Sequence, residues 1–294
     1  MFAKKSYGEY LFDILNTLLM CLLIVVTLYP FLYVFAASLS DSNMLLSHTG
    51  MLLLPVGFSL DAYQLVLQNP NILTGYANTL LIVTVGTCLN IFMTSLGAYA
   101  LSRKQVLWST PIMFIIVFTM FFSGGLIPTY LLVYKTLNLG NTLLALIIPG
   151  LISTWNLIVM RTSFAAIPEG LIESAKMDGA SDFGVLFRIV LPLSMPVISV
   201  MILFYGVGHW NSWFPAMIYL RERELFPLQL ILREILVTNS TESMMTNMGD
   251  ADKHTIGESI KYATIMVATL PILIVYPFLQ KYFAKGVMIG AIKE

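Results

Sequence analysis

One segment, residues 172–192, carries polar side chains in a regular pattern between two apolar runs of the chain. The segment contains a glutamate, Glu173, then a glycine, Gly179, and ends in Leu191-Pro192. A carboxylate on a short helix can bind a basic side chain of another protein, and a glycine can adopt the left-handed backbone that ends a helix. These residue types predict a helix that ends in a fixed turn, and they include no recognisable catalytic group.

The other nucleophilic and metal-binding residue types do not form a recognisable site. Cys21 and Cys88 lie in separate apolar runs, where we expect buried, inert thiols, and neither belongs to a metal-ligand spacing such as Cys-x-x-Cys. The histidines are scattered along the chain, at His48, His209 and His254. We therefore predict no metal site and no cofactor bound by this chain.

Two common energy sources for transport leave marks in a sequence, and neither mark is present. A phosphate-binding P-loop requires Gly-x-x-x-x-Gly-Lys-Ser/Thr, and the nearest candidates, Ser123-Gly124-Gly125 and Lys285-Gly286, lack the rest of it. An ion-coupled carrier usually holds ionisable side chains near the membrane midplane, whereas every acid here falls in a predicted loop or near a helix end. A self-sufficient secondary carrier, which would also show inverted-repeat symmetry, is therefore disfavoured.

The composition of the chain places it in a membrane. Of its 294 residues, 57% are hydrophobic and 11% are charged, and the mean hydropathy is +0.82. A bilayer core about 30 Å thick needs about 20 apolar residues of helix, and an unpaired backbone cannot cross lipid, so each span must be helical. The segments that satisfy this are approximately 11–36, 76–101, 108–132, 142–163, 194–219 and 260–282. We predict an all-α membrane protein with six transmembrane helices in a single domain, 1–294.

The distribution of basic residues predicts the orientation of these spans. With both termini in the cytoplasm, that side receives most of the lysines and arginines, while the outer loop 38–75 contains none. The last outer loop, 221–259, mixes both signs of charge, and long loops obey the rule weakly. No block of like charges suggests a nucleic-acid partner. We therefore expect both termini and the loop 165–193 to be cytoplasmic.

The loop 165–193 is predicted to form two short helices joined by a hinge. Glu169 suits a first helical turn, where a carboxylate meets the positive end of the helix dipole. Gly179 can end this helix in a left-handed cap, and Ser181 can cap a second one. Leu191-Pro192 then turns the chain back toward the membrane.

The spacing within this loop resembles the EAA signature of permease subunits in binding-protein-dependent ABC importers. That signature reads Glu-Ala-Ala-x3-Gly-x9-Ile-x-Leu-Pro, and the chain matches it from Glu173 to Pro192, with Ser174 as the single departure. In that family the loop forms a coupling helix that docks in a cleft of a separate cytoplasmic ATPase. An ordinary amphipathic connector with a capping glycine is the alternative. The resemblance assigns coupling to Glu173, Ser174, Ala175, Met177, Asp178, Gly179 and Ala180.

The resemblance extends over most of the chain. Residues 127–150, 210–220 and 285–294 are similar to the shorter permease subunit of maltose-type carbohydrate importers, and 121–130 and 226–236 resemble subunits for fragments of complex polysaccharides. This implies a type I importer permease in a bacterial cell membrane, paired with a second, paralogous permease. It also implies two ATPase subunits that bind ATP and Mg, and an extracellular solute-binding lipoprotein. The implied cargo is an oligosaccharide, with an amino acid, a peptide or phosphate as alternatives.

The fifth predicted span carries side chains suited to a sugar. Sugars present hydroxyls that need hydrogen-bond partners and C–H faces that stack on aromatic rings. Gly206, Trp210 and Trp213 are expected on roughly one helical face. Interfacial aromatic belts, close helix packing at glycines and, for His209, a bond to a neighbouring backbone group are the alternatives. The candidate pathway residues are Tyr205, Gly206, His209, Trp210, Asn211 and Trp213, with Ser123, Gly124 and Gly125 of the third span, where a broken helix could line the route or end at the outer surface.

Overall fold

The regular secondary structure is helical wherever the computed structural model describes the chain, in residues 6–104, 106–237 and 250–291. A single isolated bridge, between Ser40 and Phe58, is the one exception in those ranges. The all-α prediction is therefore confirmed for the described residues. The helices are α1 (Tyr7–Ser38), α2 (Ser42–Ser47), α3 (Asp61–Gln68), α4 (Pro70–Ser102), α5 (Ser109–Phe121), α6 (Leu126–Leu131), α7 (Leu144–Ile147), α8 (Thr154–Ala165), α9 (Glu169–Met177), α10 (Asp182–Val185), α11 (Leu191–Leu193), α12 (Met195–Trp210), α13 (Trp213–Tyr219), α14 (Leu228–Val237) and α15 (Asp250–Ala291), with π-helical turns at Leu132–Thr136 and Leu186–Val190 and 3-10 turns at Ile148–Gly150 and Arg223–Leu225.

Three helices in the described part of the chain are each long and apolar enough to cross a membrane: α1, α4 and the portion Gly257–Pro277 of α15. Three bent helix pairs raise the total to as many as six if each pair forms one span. The bends are 112° between α5 and Leu126–Thr136, 51° between Leu144–Gly150 and α8, and 87° between Asp182–Leu193 and α12. The total of up to six agrees with the prediction, but the middle spans are broken rather than straight. The third bent pair also differs in its bounds, because it begins at Asp182, within the loop predicted to be cytoplasmic, and ends at Trp210 rather than at 219.

The chain divides into two compact units, of which the first comprises the described residues of 1–70 and 234–269. Its helix α1 begins with a capping box, in which the N–H of Ser6 donates to Glu9 Oε2 at 2.8 Å. Along α1 the side chains are mostly exposed, and only 36–38 are buried. A long apolar helix with no protein covering is suited to a lipid environment.

A small core of the first unit forms where α1 ends. The Ser40 hydroxyl donates to the carbonyl of Ala36 at 2.7 Å and accepts the N–H of Val56 at 3.0 Å. The rings of Tyr33 and Tyr262 meet edge to face at 5.9 Å. The Ser40 bonds fix the following loop to the end of α1, and the ring contact packs α1 against α15.

The second unit comprises the described residues of 71–233 and 270–294. Its core consists of two clusters of buried apolar side chains. The first cluster joins α4, α8, α12 and the loop 165–193, and includes Ala98, Tyr99, Leu157, Met160, Phe164, Ile172, Val185, Leu186, Val190, Ile198, Met201 and Tyr205. The second joins α4, α13, α14 and the segment around α7, and includes Ile82, Val133, Ala145, Ile147, Ala216, Tyr219 and Leu230. The loop predicted to couple is thus part of a packed core.

Both cysteines are exposed rather than buried, so that prediction was wrong. Cys21 lies on α1 and Cys88 on α4, on faces that carry no protein covering in the isolated chain. The apolar runs around them are suited to lipid or to another subunit, and hydropathy alone does not distinguish such a face from an internal core.

Candidate coupling segment and translocation pathway

The hinge predicted at Gly179 is present in the loop 165–193, which we call the coupling segment. Gly179 has φ +82°, in the left-handed region that favours glycine. Its N–H donates to the carbonyl of Lys176 at 3.0 Å, and the following N–H donates to that of Ala175 at 2.9 Å, so the end of α9 is capped. Ser181 begins α10, since its hydroxyl accepts the N–H of Gly184 at 3.2 Å. The predicted arrangement of helix, hinge and helix is confirmed.

Two ion pairs hold the coupling segment in shape. Lys176 Nζ lies 2.9 Å from Asp182 Oδ1 and so connects the two arms across the hinge, and the Tyr99 hydroxyl donates to the same carboxylate oxygen at 3.3 Å. Lys104 Nζ lies 2.9 Å from Glu169 Oε2, at the start of α9. The hydrogen bond from Lys176 lowers the pKa of Asp182, and that bond raises the pKa of Lys176. The pair is therefore charged at neutral pH and is lost as the pH falls through the lowered pKa of Asp182.

The coupling segment has an inner face and an outer face. On the inner face Ile172 is buried, and Ala175 and Ala180 are partly buried against the first cluster. The outer face carries large apolar side chains, of which Met177 is 89% and Phe183 64% exposed. Of the residues predicted to couple, those on the exposed side are Glu173, Ser174, Met177, Asp178 and Gly179. The segment thus presents an apolar tip, Met177 and Phe183, on a base that packs against the first cluster.

A cavity of about 660 Å³ lies beside α12. It brings two of the predicted pathway residues, Tyr205 and His209, together with groups from the broken fourth span. The lining residues are Leu146, Gly150, Ser153, Asn156, Leu203, Phe204, Tyr205, Val207, Gly208, His209 and Ser212. The lining is apolar with a few hydroxyl, amide and imidazole groups, and among the described residues no cluster of His, Cys, Asp or Glu could hold a metal ion.

A hydrogen-bond network fixes one wall of this cavity, and its centre is a residue that sequence reasoning missed, Asn90. Its amide nitrogen donates to the carbonyls of Gly150 at 2.7 Å and Leu151 at 2.9 Å, which are freed where the fourth span breaks. Its amide oxygen lies 2.6 Å from His209 Nε2. An asparagine in the middle of an apolar span was the signal, since such a group must find a partner.

Tyr205 makes a second set of polar contacts in the same wall. Its hydroxyl lies 2.7 Å from Thr94 Oγ1 and accepts the N–H of Ser153 at 3.0 Å. Its ring is buried in the first cluster. Tyr205 therefore connects the first cluster to α4 and to the start of α8 in the cavity wall.

The remaining pathway candidates are not part of this cavity's lining. Helix α12 contains Gly206 and ends at Trp210, and a new helix begins at Trp213, so the prediction of one shared helical face was wrong for Trp213. Trp210 is buried, and its ring packs edge to face against Tyr76 with 6.3 Å between the ring centres. The guanidinium of Arg233 lies over the ring of Trp213, 4.9 Å from its centre. The other candidates outside the lining are Gly206, Asn211, Ser123, Gly124 and Gly125, the last three being exposed at the 112° break in the third span.

Comparison with known proteins identifies a family and several relatives with similar sequences. Residues 104–289 match the family described as binding-protein-dependent transport system inner membrane component. The chain is 41% identical to the polygalacturonan/rhamnogalacturonan transport system permease protein YtcP of Bacillus subtilis, over 96% of this chain and 98% of that protein. It is 27% identical to the arabinooligosaccharides transport system permease protein AraQ of Bacillus subtilis, over 94% of each.

One solved structure has a similar fold over nearly the whole length of this chain. It belongs to a bacterial ABC transporter involved in the import of the acidic polysaccharide alginate, with a TM-score of 0.87 and 31% identity over 96% of this chain and 100% of that one. Permeases of this kind act with ATPase and solute-binding partners and are not themselves enzymes. The chain therefore belongs to the family of binding-protein-dependent transport system inner membrane components and is a permease subunit of an ABC importer.

Proposed function

We propose that this chain pairs with a second, paralogous permease and docks its coupling segment into one of two cytoplasmic ATPase subunits. The observation that carries the proposal is the exposed apolar tip on a rigid base. Met177 and Phe183 are held outward by the capped hinge at Gly179 and by the pair of Lys176 and Asp182. Large apolar side chains in such a position favour insertion into a protein socket.

In this proposal both termini and the coupling segment 165–193 face the cytoplasm, and the loops 38–75 and 221–259 face outward. Residues 238–249 of the second loop, and 1–5 and 292–294 at the termini, lie outside the described residues. The proposal treats 1–294 as one permease domain of six spans. ATP and Mg bind to the partner ATPases, whose closure moves the coupling segments and opens the shared cavity to the outside. There the binding protein delivers the cargo.

The proposed pathway runs past the cavity beside α12. Ser153, Asn156 and His209 offer polar groups to sugar hydroxyls, and Tyr205 holds this wall in place. The buried hydroxyl of Ser212 at the rim has no hydrogen-bond partner among the described residues. An unpaired hydroxyl in such a site is suited to a polyhydroxylated cargo.

Replacing Met177 with glutamate should reduce the ATPase recovered with the tagged permease about tenfold or more, because docking would bury an unpaired charge. The second permease should still co-purify. The matched control is Met51→Glu, at a methionine that is 78% exposed in the loop 38–75. Equal recovery of ATPase with both variants would contradict docking through this tip, and a lone homodimer in the purified sample would contradict the pairing.

We infer that the cargo contains uronate sugars, because one relative belongs to a polygalacturonan/rhamnogalacturonan transport system and another to a transporter involved in the import of alginate, an acidic polysaccharide. The cognate binding protein should be stabilised by oligogalacturonides in a thermal-shift titration, and less by neutral arabino-oligosaccharides. Uptake by cells that carry the complete transporter should follow the same order. Stabilisation by amino acids, peptides or phosphate alone would overturn the assignment to sugars.

A further inference from the structure

A second cavity, of about 360 Å³, lies beside the coupling segment, where α4 gives way to α5. Its lining is polar and rich in basic groups, in contrast to the cavity beside α12. The lining residues are Leu101, Ser102, Arg103, Lys104, Val106, Trp108, Ser109, Thr110, Pro111 and Arg161. The net charge of this cavity depends on whether carboxylates of the chain neutralise its basic groups.

The two arginines are held in place by backbone carbonyls rather than by acids. Arg161 Nε donates to the carbonyl of Leu101 at 2.8 Å, and Arg103 Nη2 donates to that of Phe164 at 2.8 Å. Neither guanidinium forms an ion pair with a carboxylate of the described residues. Of the three basic side chains that line the cavity, only Lys104 forms such a pair, with Glu169. The cavity therefore keeps a net positive charge on preoriented arginines, which suits a planar or tetrahedral anion.

The start of α5 adds to this positive potential. Ser109, Thr110 and Pro111 form its first turn and line the cavity, where the N-terminal end of a helix dipole attracts anions. Directly before them, Leu107 is 83% and Trp108 74% exposed. A large aromatic side chain beside basic groups at the end of apolar spans is typical of the membrane interface. The site thus combines a pocket for an anion with an apolar rim.

We propose that this cavity binds the headgroup phosphate of an anionic phospholipid. Arg103 and Arg161 contact the phosphate, the first turn of α5 faces it, and the acyl chains leave past Leu107 and Trp108. The cavity shares its end of the unit with the coupling segment, since Lys104 pairs with Glu169. In the orientation proposed above, this is the cytoplasmic leaflet, where basic pockets between spans bind anionic lipid.

The test uses the intact transporter in lipid nanodiscs, with phosphatidylglycerol and phosphatidylcholine as probes. Native mass spectrometry should show phosphatidylglycerol retained on the wild type and reduced about fivefold on Arg161→Gln, as expected when one basic contact is lost. Glutamine keeps an N–H donor for the carbonyl of Leu101. Arg161→Lys, which keeps the charge, should retain the lipid, as should Lys135→Gln, which removes an exposed charge elsewhere in the unit.

Three results would overturn the proposal. Equal retention of phosphatidylglycerol by the wild type and Arg161→Gln would show that the cavity does not hold the lipid. Thermal stabilisation by inorganic phosphate without retention of phosphatidylglycerol would assign the site to a soluble anion. Loss of the ATPase subunits from Arg161→Gln with lipid retention unchanged would assign the arginine to a protein carboxylate. The recovery of the ATPase subunits is measured separately from lipid retention. A failure of the docking proposal can therefore be told apart from a failure of the lipid proposal.

Discussion

Replacing Gly179 with valine is expected to reduce oligosaccharide uptake about 5- to 30-fold while the permease still inserts in the membrane. A Cβ at this position would meet no atom within 4 Å, so the cost is in the backbone and not in a clash. A φ of +82° is unfavourable for any residue with a side chain by about 1–2 kcal/mol, and a β-branched residue is among the worst. A cost of that size shifts a conformational ratio about 5- to 30-fold.

If the turn at Gly179 relaxes, the caps to Lys176 and Ala175 are lost, and the pair of Lys176 and Asp182 separates. The tip would then no longer move rigidly with the core. The measurement is uptake in cells, together with the stimulation of ATPase activity by loaded binding protein in proteoliposomes.

The matched controls for this substitution lie in the same segment. A Cβ added at Gly170, within α9, would also meet no atom within 4 Å, but the backbone there is ordinary helix, so Gly170→Val should transport normally. Gly179→Asn should retain most activity, because asparagine tolerates the left-handed region. Normal uptake by Gly179→Val, or equal loss in Gly170→Val, would contradict a role for the hinge.

Replacing Asn90 with leucine is expected to destabilise the permease by about 2–4 kcal/mol. It leaves three polar groups at a partly buried site without their partner, and each would cost about 1–3 kcal/mol if it were fully buried. The substitution orphans the carbonyls of Gly150 and Leu151 and leaves His209 without its partner. Leucine removes the polar group but keeps a similar volume. Since the network forms a wall of the cavity, uptake should fall as well.

Thermal unfolding of the purified transporter measures this effect. Thr84→Val on the same helix is the control, because the Thr84 hydroxyl donates only to the carbonyls of Leu80 and Leu81 in its own helix. That variant should unfold within a degree or two of the wild type, as surface substitutions usually change stability by less than about 0.5 kcal/mol. An Asn90→Leu transporter as stable as the wild type would show that the break in the fourth span is satisfied in another way.

Some features of this protein follow from the sequence because their causes are local. Apolar segments of sufficient length predict spans, since every backbone group in lipid must be paired within its own helix. The hinge could be located because glycine takes a φ such as +82° at little cost. The start of α10 could be located because a serine hydroxyl caps a helix from the residue directly before its first turn. The order of helix, hinge and helix between 169 and 185 was therefore predictable residue by residue.

Other features were decided only by the tertiary structure. Hydropathy gives the length of a span but not where it breaks, because a break requires a partner for the freed backbone groups from a distant part of the chain. Asn90 supplies that partner for Gly150 and Leu151 across 60 residues of sequence or more. Packing likewise separates Tyr205 and His209, which line the cavity, from Trp210, which packs against Tyr76. Trp213 lies in a new helix after the break that follows α12. The residue types determine which groups need a hydrogen-bond partner in lipid. Only the tertiary packing determines which residue is that partner.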